Sequence, residues 1–345
     1  MPKKGILERL SEGVVFGDGG YLLELEKRGY VQAGPFTPEV SISRPQALAE
    51  LHREFMLAGA EVLQTLTYYA SEAKLQTVGL GGKMEEINRA AVRIAREVAA
   101  EKTDGDGVLV AGNISNTWEY DPDDPSSADR VRKLFDDQLA LQMEEGIDFI
   151  IGETYSWLGE ALIAAECGKK AGLPVMITMA PDNNPNSLEG YSQAECARRL
   201  EAAGVDIVGL NCLRDPEHTL PLMEEVRAAV SCYVACQPVG YHSHDDRPNF
   251  VSTPNFPLAL DPLQLPRAPF AEYAVRARDM GINYIGSCCG AVAIHTREMA
   301  RALGKLPVEE RQWRAADGKV RSGYELQHTD RGAEILAGAG QAPER

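Results

Sequence analysis

Three cysteines are the residues of this sequence best suited to bind a metal ion: Cys212 and the adjacent pair Cys288 and Cys289. Three thiolates occupy three of the four tetrahedral positions of a zinc ion and leave one open, as in catalytic rather than structural sites. A substrate thiol in the open position has its pKa lowered and reacts as a thiolate at neutral pH. The pattern therefore predicts a zinc site that activates a thiol. The alternative is that Cys212 is a small buried residue and the other two are neighbours by chance.

Side chains of catalytic type stand where the apolar, strand-like runs of the sequence end. Five runs end in this way: VVFGD, EVLQTLTYY, DFIIGET, DIVGLNC and YIGSCCG. The carboxyl ends of parallel strands in a barrel converge on one mouth, where active sites lie. We therefore expect one shared site for these side chains: Asp18, Thr65–Tyr69, Glu153, Cys212, Cys288 and Cys289.

Four aromatic residues lie near the same strand ends or in the loops beside them: Phe36, Tyr68, Tyr69 and Trp157. Aromatic rings bind quaternary ammonium groups by cation–π attraction, which contributes about 0.5–2 kcal/mol per contact. A thiolate needs an electrophile, and a cationic methyl donor held by such rings supplies one. For any single ring, packing in the core is an equally good explanation.

The apolar runs alternate with longer segments of helical periodicity. Eight runs are predicted strands, at 14–18, 61–69, 107–113, 148–154, 174–180, 206–212, 233–240 and 284–290. The clearest helical segments are 45–60, 87–101, 128–146 and 192–204, the last of which begins with a Ser–x–x–Glu capping box. A glycine ends the helical segment before several strands, at Gly59, Gly146, Gly204 and Gly281.

Eight successive βα units predict an α/β fold, namely a (β/α)8 TIM barrel of eight parallel strands. A doubly wound open sheet is the alternative, but GDGG at 17–20 lacks the spacing of a dinucleotide-binding loop. We predict that the barrel spans residues 1–310 and that 311–345 forms a peripheral C-terminal tail. Three segments, 114–129, 181–191 and 241–270, are longer than ordinary loops, and such loops are usually lids, binding loops or subunit contacts.

The composition excludes several classes of partner. The 345 residues carry a net charge of −16 at pH 7, which repels nucleic-acid phosphates and anionic lipids. The N-terminal MPKKGILERLSEG has no apolar run of signal-peptide length, and no segment reaches the length of a membrane span. We expect a cytoplasmic, reducing location, where seven cysteines, an odd number, do not form a disulfide framework.

The remaining reactive residues have ordinary structural explanations. Core positions in helices or within strands are expected for Cys167, Cys196, Cys232 and Cys236. A solvated loop, rather than a metal cluster, is expected for His242, His244, Asp245 and Asp246, because no helix spaces them as ligands. Packing against the last helix is expected for His295, and a solvated turn for Asp121–Asp124.

Five blocks of sequence, taken in order through about residue 305, carry a family resemblance. They are KKGILERL, GDGGYLLELEKRGYVQAGPFTPE (17–39), LHREFMLAGAEVLQTLTYYASEAKL (51–75), VGLNC (208–212) and YIGSCCG (284–290). These blocks closely resemble the betaine–homocysteine S-methyltransferases. The wider homocysteine methyltransferase family shares the motifs G-x-N-C and G-G-C-C-G. Here Ser287 replaces the second glycine of the latter, a small residue that should leave metal ligation intact.

The resemblance implies a zinc enzyme that transfers a methyl group from a betaine to homocysteine, giving methionine and dimethylglycine in methionine biosynthesis. It implies that Zn²⁺ is held by Cys212, Cys288 and Cys289. It places the amino-acid end of homocysteine at Asp18, Gly19, Thr65 and Glu153, where a carboxylate pairs with the ammonium group. It also implies donor contacts at Phe36, Tyr68 and Tyr69, and catalytic roles for Glu153 and Tyr69.

Two residues depart from the family pattern and bear on the choice of methyl donor. Phe36 stands where the betaine enzymes carry tryptophan, and Thr154 replaces a tyrosine, although Tyr155 and Trp157 are adjacent. Glycine betaine is the first choice, and the sulfonium compounds dimethylsulfoniopropionate and S-methylmethionine are alternatives. The C-terminal region is shorter than in the animal enzymes, where it forms a dimerisation arm. A homo-oligomer is therefore one of the possible states, and the resemblance does not decide it. A non-catalytic thiol- or metal-binding barrel is the alternative of another class.

Overall fold

The computed structural model describes residues 3–32, 36–103 and 105–306, and eight strands run through them. The strands are β1 (Val15–Phe16), β2 (Val62–Gln64), β3 (Leu109–Ser115), β4 (Phe149–Tyr155), β5 (Val175–Met179), β6 (Ile207–Asn211), β7 (Tyr233–Gln237) and β8 (Tyr284–Ile285). All pairings are parallel, in the order β1–β8–β7–β6–β5–β4–β3–β2. The amide of Glu61 donates to the carbonyl of Phe16 at 2.9 Å, which brings β2 beside β1. The predicted (β/α)8 barrel is confirmed.

Helices lie before β1, between successive strands and after β8. They are α1 (Ile6–Glu12), α2 (Leu22–Lys27), α3 (Val40–Ser43), α4 (Pro45–Leu57), α5 (Glu72–Gln76), α6 (Met84–Ala99), α7 (Pro125–Glu145), α8 (Leu158–Ala171), α9 (Gln193–Ala202), α10 (Pro216–Ala229), α11 (Arg267–Asp279) and α12 (Ala293–Ala302). The glycines expected at helix ends all adopt positive φ, between 85° and 106°, at Gly59, Gly146, Gly204 and Gly281. This conformation ends each helix before its next strand.

The end of the barrel at which the strands begin is filled by apolar side chains. Alternate residues of β3 and β4, such as Leu109 and Ala111, point into one buried cluster. Helix α1 adds Ile6 and Leu10 to this cluster and so covers that end of the barrel. The carboxyl-terminal end is therefore the open end, where the side chains that follow the strands can face a substrate.

Several strands are shorter than the sequence predicts. The predicted strand 61–69 ends at Gln64, because the chain turns sharply there: the amide of Thr67 donates to the carbonyl of Thr65 at 2.8 Å. The predicted strand 284–290 ends at Ile285, and the cysteine pair lies in the turn that follows. The capping box is half formed, because Ser192 accepts a hydrogen bond from the Glu195 amide while the Glu195 carboxylate binds Arg198 and Arg199.

The residues predicted to be structural mostly behave as expected. Cys167, Cys196 and Cys236 are buried, whereas Cys232 lies between α10 and β7 and is only partly buried, so its assignment to the core was wrong. The His295 ring packs against Phe270 at a centroid distance of 4.9 Å. The predicted tail at 311–345 lies outside the described residues. Among the described helices, none combines the length and apolarity needed to cross a membrane.

Candidate active site

Three cysteine sulfurs meet at the carboxyl end of the barrel. The Sγ atoms of Cys212 and Cys289 are 3.8 Å apart, and those of Cys288 and Cys289 are 4.0 Å apart. All three sulfurs lie within 4.8 Å of one another. Among the described residues, no other set of three or more His, Cys, Asp or Glu side chains is close enough together to hold a metal ion. Zinc–sulfur bonds of about 2.3 Å at tetrahedral angles separate the sulfurs by about 3.8 Å, so this triad fits a zinc ion.

Local backbone geometry directs the three thiols toward one point. Cys212 follows β6 with φ = 58°, a left-handed conformation that non-glycine residues rarely adopt. The amide of Cys288 donates to the carbonyl of Pro238 at 2.8 Å, and the amide of Gly240 donates to the carbonyl of Cys289 at 2.7 Å. These bonds hold the cysteine turn against the end of β7. The hydrogen bonds among the three thiols act on their pKa values in both directions, while burial raises the pKa of each, and the net effect is a pKa well above the ordinary cysteine value.

A cavity of about 420 Å³ opens beside the thiols. Its lining includes every residue that the sequence assigned to metal or substrate: Asp18, Gly19, Phe36, Thr65, Tyr68, Tyr69, Glu153, Cys212, Cys288 and Cys289. They come from loops that follow β1, β2, β6 and β8 and from β4 itself, as the convergence of strand ends requires. The cavity is large enough for two small molecules of amino-acid size. The individual roles of these residues stay predictions.

Asp18 lies just after β1 and is buried, with 2% of its surface exposed. Its Oδ2 accepts hydrogen bonds from the Gln64 amide at 2.8 Å and from the Tyr21 hydroxyl at 2.6 Å. Burial raises the pKa of Asp18 to about 7, although these two hydrogen bonds oppose the rise. The hydroxyl of Tyr21 also lies 2.9 Å from Nδ1 of His52, which is itself fully buried and whose pKa burial lowers to about 3.

Glu153, within β4, is the second buried acid of the cavity. Its Oε1 accepts hydrogen bonds from Gln64 Nε2 at 2.5 Å and Asn113 Nδ2 at 2.8 Å, and its Oε2 accepts one from Asn211 Nδ2 at 3.1 Å. Burial raises the pKa of Glu153 to about 7, against the effect of the amide donors, and the Asp18 charge adds to the rise. Two buried carboxylates without a cationic partner in the lining are well placed to bind an ammonium group.

Aromatic rings form another part of the lining. The rings of Tyr68 and Tyr69 have centroids 4.1 Å apart, and Trp118 meets the Tyr69 ring edge-on at 5.5 Å. Elsewhere in the lining, the centroid of the Phe36 ring lies 6.0 Å from the centroid of the Phe256 ring. Burial raises the pKa of Tyr69 to about 12, so its hydroxyl is protonated at neutral pH.

Two aromatic residues near the mouth do not join this lining. The Trp157 ring faces Tyr120 at 6.1 Å, outside the cavity lining, so the expectation for Trp157 was wrong. Tyr155 is fully buried against Phe135. For Tyr155 the cause is a register shift in β4 between Gly152 and Tyr155, with Thr154 at φ = 64°. This irregularity interrupts the alternation of side chains, so Glu153 and Thr154 both face the cavity and Tyr155 turns outward.

Backbone strain in the described chain is concentrated at this cavity. Six described residues other than glycine have positive φ, and all six line it: Phe36, Tyr69, Trp118, Thr154, Cys212 and Leu213. Each such residue costs about 1–3 kcal/mol and persists only where its surroundings enforce it. Strain that is confined to one cavity is typical of functional sites.

Sequence reasoning missed several lining residues that come from the long loops. The segment 114–129 supplies Trp118, and the segment 241–270 supplies Phe250 and Phe256. These loops carry no periodic pattern, so only their unusual length signalled a role. Gln64 and Asn211, which hold Glu153, are the last residues of β2 and β6, but both lie inside the predicted strands 61–69 and 206–212, so their roles had no signal in the sequence.

The chain is similar to known proteins along most of its length. A family model described as homocysteine S-methyltransferase matches residues 15–303. Betaine–homocysteine S-methyltransferase 1 of Xenopus laevis is 44% identical over 314 residues, which cover 87% of this chain and 76% of the relative. An S-methylmethionine–homocysteine S-methyltransferase of Pongo abelii is 41% identical over 312 residues, which cover 87% of this chain and 82% of the relative.

Solved structures show a similar fold. The metallated form of the homocysteine methyltransferase MmuM from Escherichia coli superposes with a TM-score of 0.68 and covers 84% of this chain and 96% of its own. Sequence identity in that superposition is 19%, so the likeness supports the barrel architecture alone.

Proposed function

Because this chain belongs to the homocysteine S-methyltransferase family, we propose that it transfers a methyl group from glycine betaine to homocysteine, giving methionine and dimethylglycine. One observation carries the proposal: three thiols spaced for a metal share a single cavity with two buried carboxylates and a set of aromatic rings. These are the three recognition elements that a thiol, its ammonium group and an onium donor require.

Zinc is the proposed metal, held by Cys212, Cys288 and Cys289. The sulfur separations of 3.8 and 4.0 Å support this choice, as does a donor set made only of thiols. When bound, zinc lowers the pKa of the homocysteine thiol and supplies a thiolate at neutral pH. We also propose a cytoplasmic location, because a reducing compartment keeps thiols unpaired, and all seven cysteines are free thiols here.

Homocysteine binds with its amino-acid end at the acids of the cavity. Asp18 and Glu153 bind the substrate ammonium group. Its positive charge favours the ionised carboxylates, which burial alone disfavours. Glu153 is fixed by three amide donors, so the carboxylate is positioned before the substrate arrives. Gly19 and Thr65 complete this part of the lining.

The methyl donor binds at the aromatic part of the cavity. Phe36, Tyr68 and Tyr69 surround the cationic head, and cation–π attraction stabilises it out of water. The sulfur–carbon bond forms as the carbon–nitrogen bond breaks, and the electron pair of the broken bond stays on nitrogen. Dimethylglycine therefore leaves as an amine without a general acid. Tyr69 and Glu153 act by positioning and desolvating the two reactants.

A sulfonium donor, S-methylmethionine or dimethylsulfoniopropionate, is the second candidate. It is favoured by the 41% identity to the Pongo abelii S-methylmethionine enzyme and by Phe36, which lacks an indole. A sulfonium cation is held by the same rings, and the leaving group is then a neutral thioether.

The test is an assay of methionine formation from homocysteine with each donor, together with metal analysis of protein purified without chelator. We expect one zinc per chain, activity with glycine betaine, and loss of both in Cys288→Ala. Cys232→Ala is the matched control, because Cys232 is a free, partly buried cysteine outside the triad, and it should keep both. Bound zinc with no methionine from any donor would overturn the substrate assignment.

A further inference from the structure

Lys74 is a buried cation for which the proposed reaction gives no role. It lies in α5, and only 4% of its surface is exposed. Its Nζ sits 4.2 Å from the centroid of the Tyr69 ring and 3.1 Å from that of Trp118. Burial lowers the pKa of Lys74 to about 8, and among the described residues no carboxylate opposes that effect. Within the described part of the chain, no ion pair includes Lys74, and its Nζ contacts the two rings.

A buried ammonium group without an anion is energetically unfavourable, and buried charges are normally paired. Cation–π attraction recovers only part of the hydration that the group has lost. Lys74 is therefore set up to receive an anion that the free protein does not provide.

The cavity has the opposite deficiency. Its described lining contains two carboxylates and three thiols but no lysine, arginine or histidine. A zwitterionic donor brings a carboxylate into this cavity, where the acids Asp18 and Glu153 would repel it. Lys74 borders the lining, because both rings that it contacts, Tyr69 and Trp118, are lining residues.

Trp118 contacts both Lys74 and Tyr69 at the edge of the cavity. The residue is 67% exposed, so its indole lies at the rim of the cavity rather than in the core. Its backbone has a positive φ of 64°, and its ring packs over Lys74 and against the Tyr69 ring.

We propose that Lys74 is a specificity-determining residue that binds the carboxylate of the methyl donor at the rim formed by Tyr69 and Trp118. This inference rests on the proposed function and names the substrate class: an onium compound that carries a carboxylate and no second cation. The aromatic rings of the lining hold the cationic head, while Lys74 holds the carboxylate at the rim. The cavity thus orients the donor with its methyl groups toward the thiols.

The experiment compares glycine betaine with choline, a trimethylammonium cation without a carboxylate, by calorimetric binding to the zinc-loaded, homocysteine-bound protein. A charge-assisted hydrogen bond lost with Lys74→Met should weaken glycine betaine about 10- to 100-fold and leave choline equal or tighter. Lys74→Arg should keep the preference for glycine betaine. Lys83→Met, which removes an exposed lysine from the same region, should behave as wild type.

Equal losses for both ligands in Lys74→Met would overturn the proposal, because Lys74 would then only support the aromatic rings. So would unchanged affinities. A second measurement needs no variant: wild type should bind glycine betaine at least ten times more tightly than its amide, and equal affinities would also overturn the proposal. Wild type that discriminates through Lys74 but forms no methionine from any donor would instead contradict the proposed function alone.

Discussion

At the residue scale, the two buried acids of the cavity lower the folding stability of the free protein and favour binding of a cation. Asp18 and Glu153 are held away from water at a position where only amides and a hydroxyl stabilise their charge. Their pKa values of about 7 mean that ionisation at neutral pH costs folding free energy. A substrate ammonium offsets that cost, so the strain of the free protein becomes affinity for the substrate.

This argument predicts a pH-dependent effect of Glu153→Gln on the free protein. In the folded state Glu153 ionises near pH 7, whereas in the unfolded chain it ionises near pH 4. The wild type therefore loses stability as pH rises from about 4 to about 7, and the variant lacks that loss. Relative to wild type, the variant should gain on the order of 1–3 kcal/mol between pH 5 and pH 8, as measured by denaturant unfolding.

The control is Glu144→Gln, which removes an exposed carboxylate with the same change in net charge. Its stability relative to wild type should vary little over this range. If the difference between Glu153→Gln and wild type were also independent of pH, burial would not be the cause of the raised pKa.

Residue types alone identified the thiols and acids, because each stands at the end of an apolar run. Trp118 and Lys74 were not identifiable in this way. Lys74 reads as an ordinary surface lysine of an amphipathic helix, and only the fold shows that it is buried against two rings. The outward position of Tyr155 was likewise not identifiable, since the register shift in β4 has no signature in the sequence.

At the element scale, the cysteine turn depends on close approach between two loops. Gly20, in the loop after β1, leaves no room for a side chain: a Cβ there would lie 2.7 Å from the Cys288 carbonyl oxygen and 2.9 Å from the Cys289 Cα. Both contacts are with backbone, which cannot move aside without shifting the turn. The sequence predicted the strands and helices because their periodicity is local, but this contact joins residues almost 270 positions apart.

Gly20→Ala should therefore displace the two thiols and weaken zinc binding by at least tenfold, with a loss of thermal stability. Competition with a metal chelator measures the zinc affinity, and calorimetry measures the melting temperature. Gly82→Ala is the matched control, because a Cβ at Gly82 meets nothing within 4 Å. Unchanged zinc affinity in Gly20→Ala would show that the turn does not rely on this packing.

At the scale of the whole molecule, the apolar core and the candidate active site lie at opposite ends of the barrel. The amino-terminal half holds a closed apolar cluster covered by α1, while the carboxyl-terminal end carries the thiols, the acids and all the strained backbone of the described chain. The regular half of the barrel supports the strained half. Sequence patterns predicted the fold well because the βα units have a repeated, periodic pattern. The loops that complete the cavity have no such pattern, so their contributions were not predicted.

The central claim is that three sulfurs hold one zinc ion with a position left for the thiol of homocysteine. Zinc-edge X-ray absorption of the purified protein, recorded without and with homocysteine, tests it most directly. We predict three sulfur neighbours at about 2.3 Å in the free protein and a fourth when homocysteine is added. A zinc ion already surrounded by four sulfurs in the free protein, or a sulfur count that homocysteine leaves unchanged, would contradict the account.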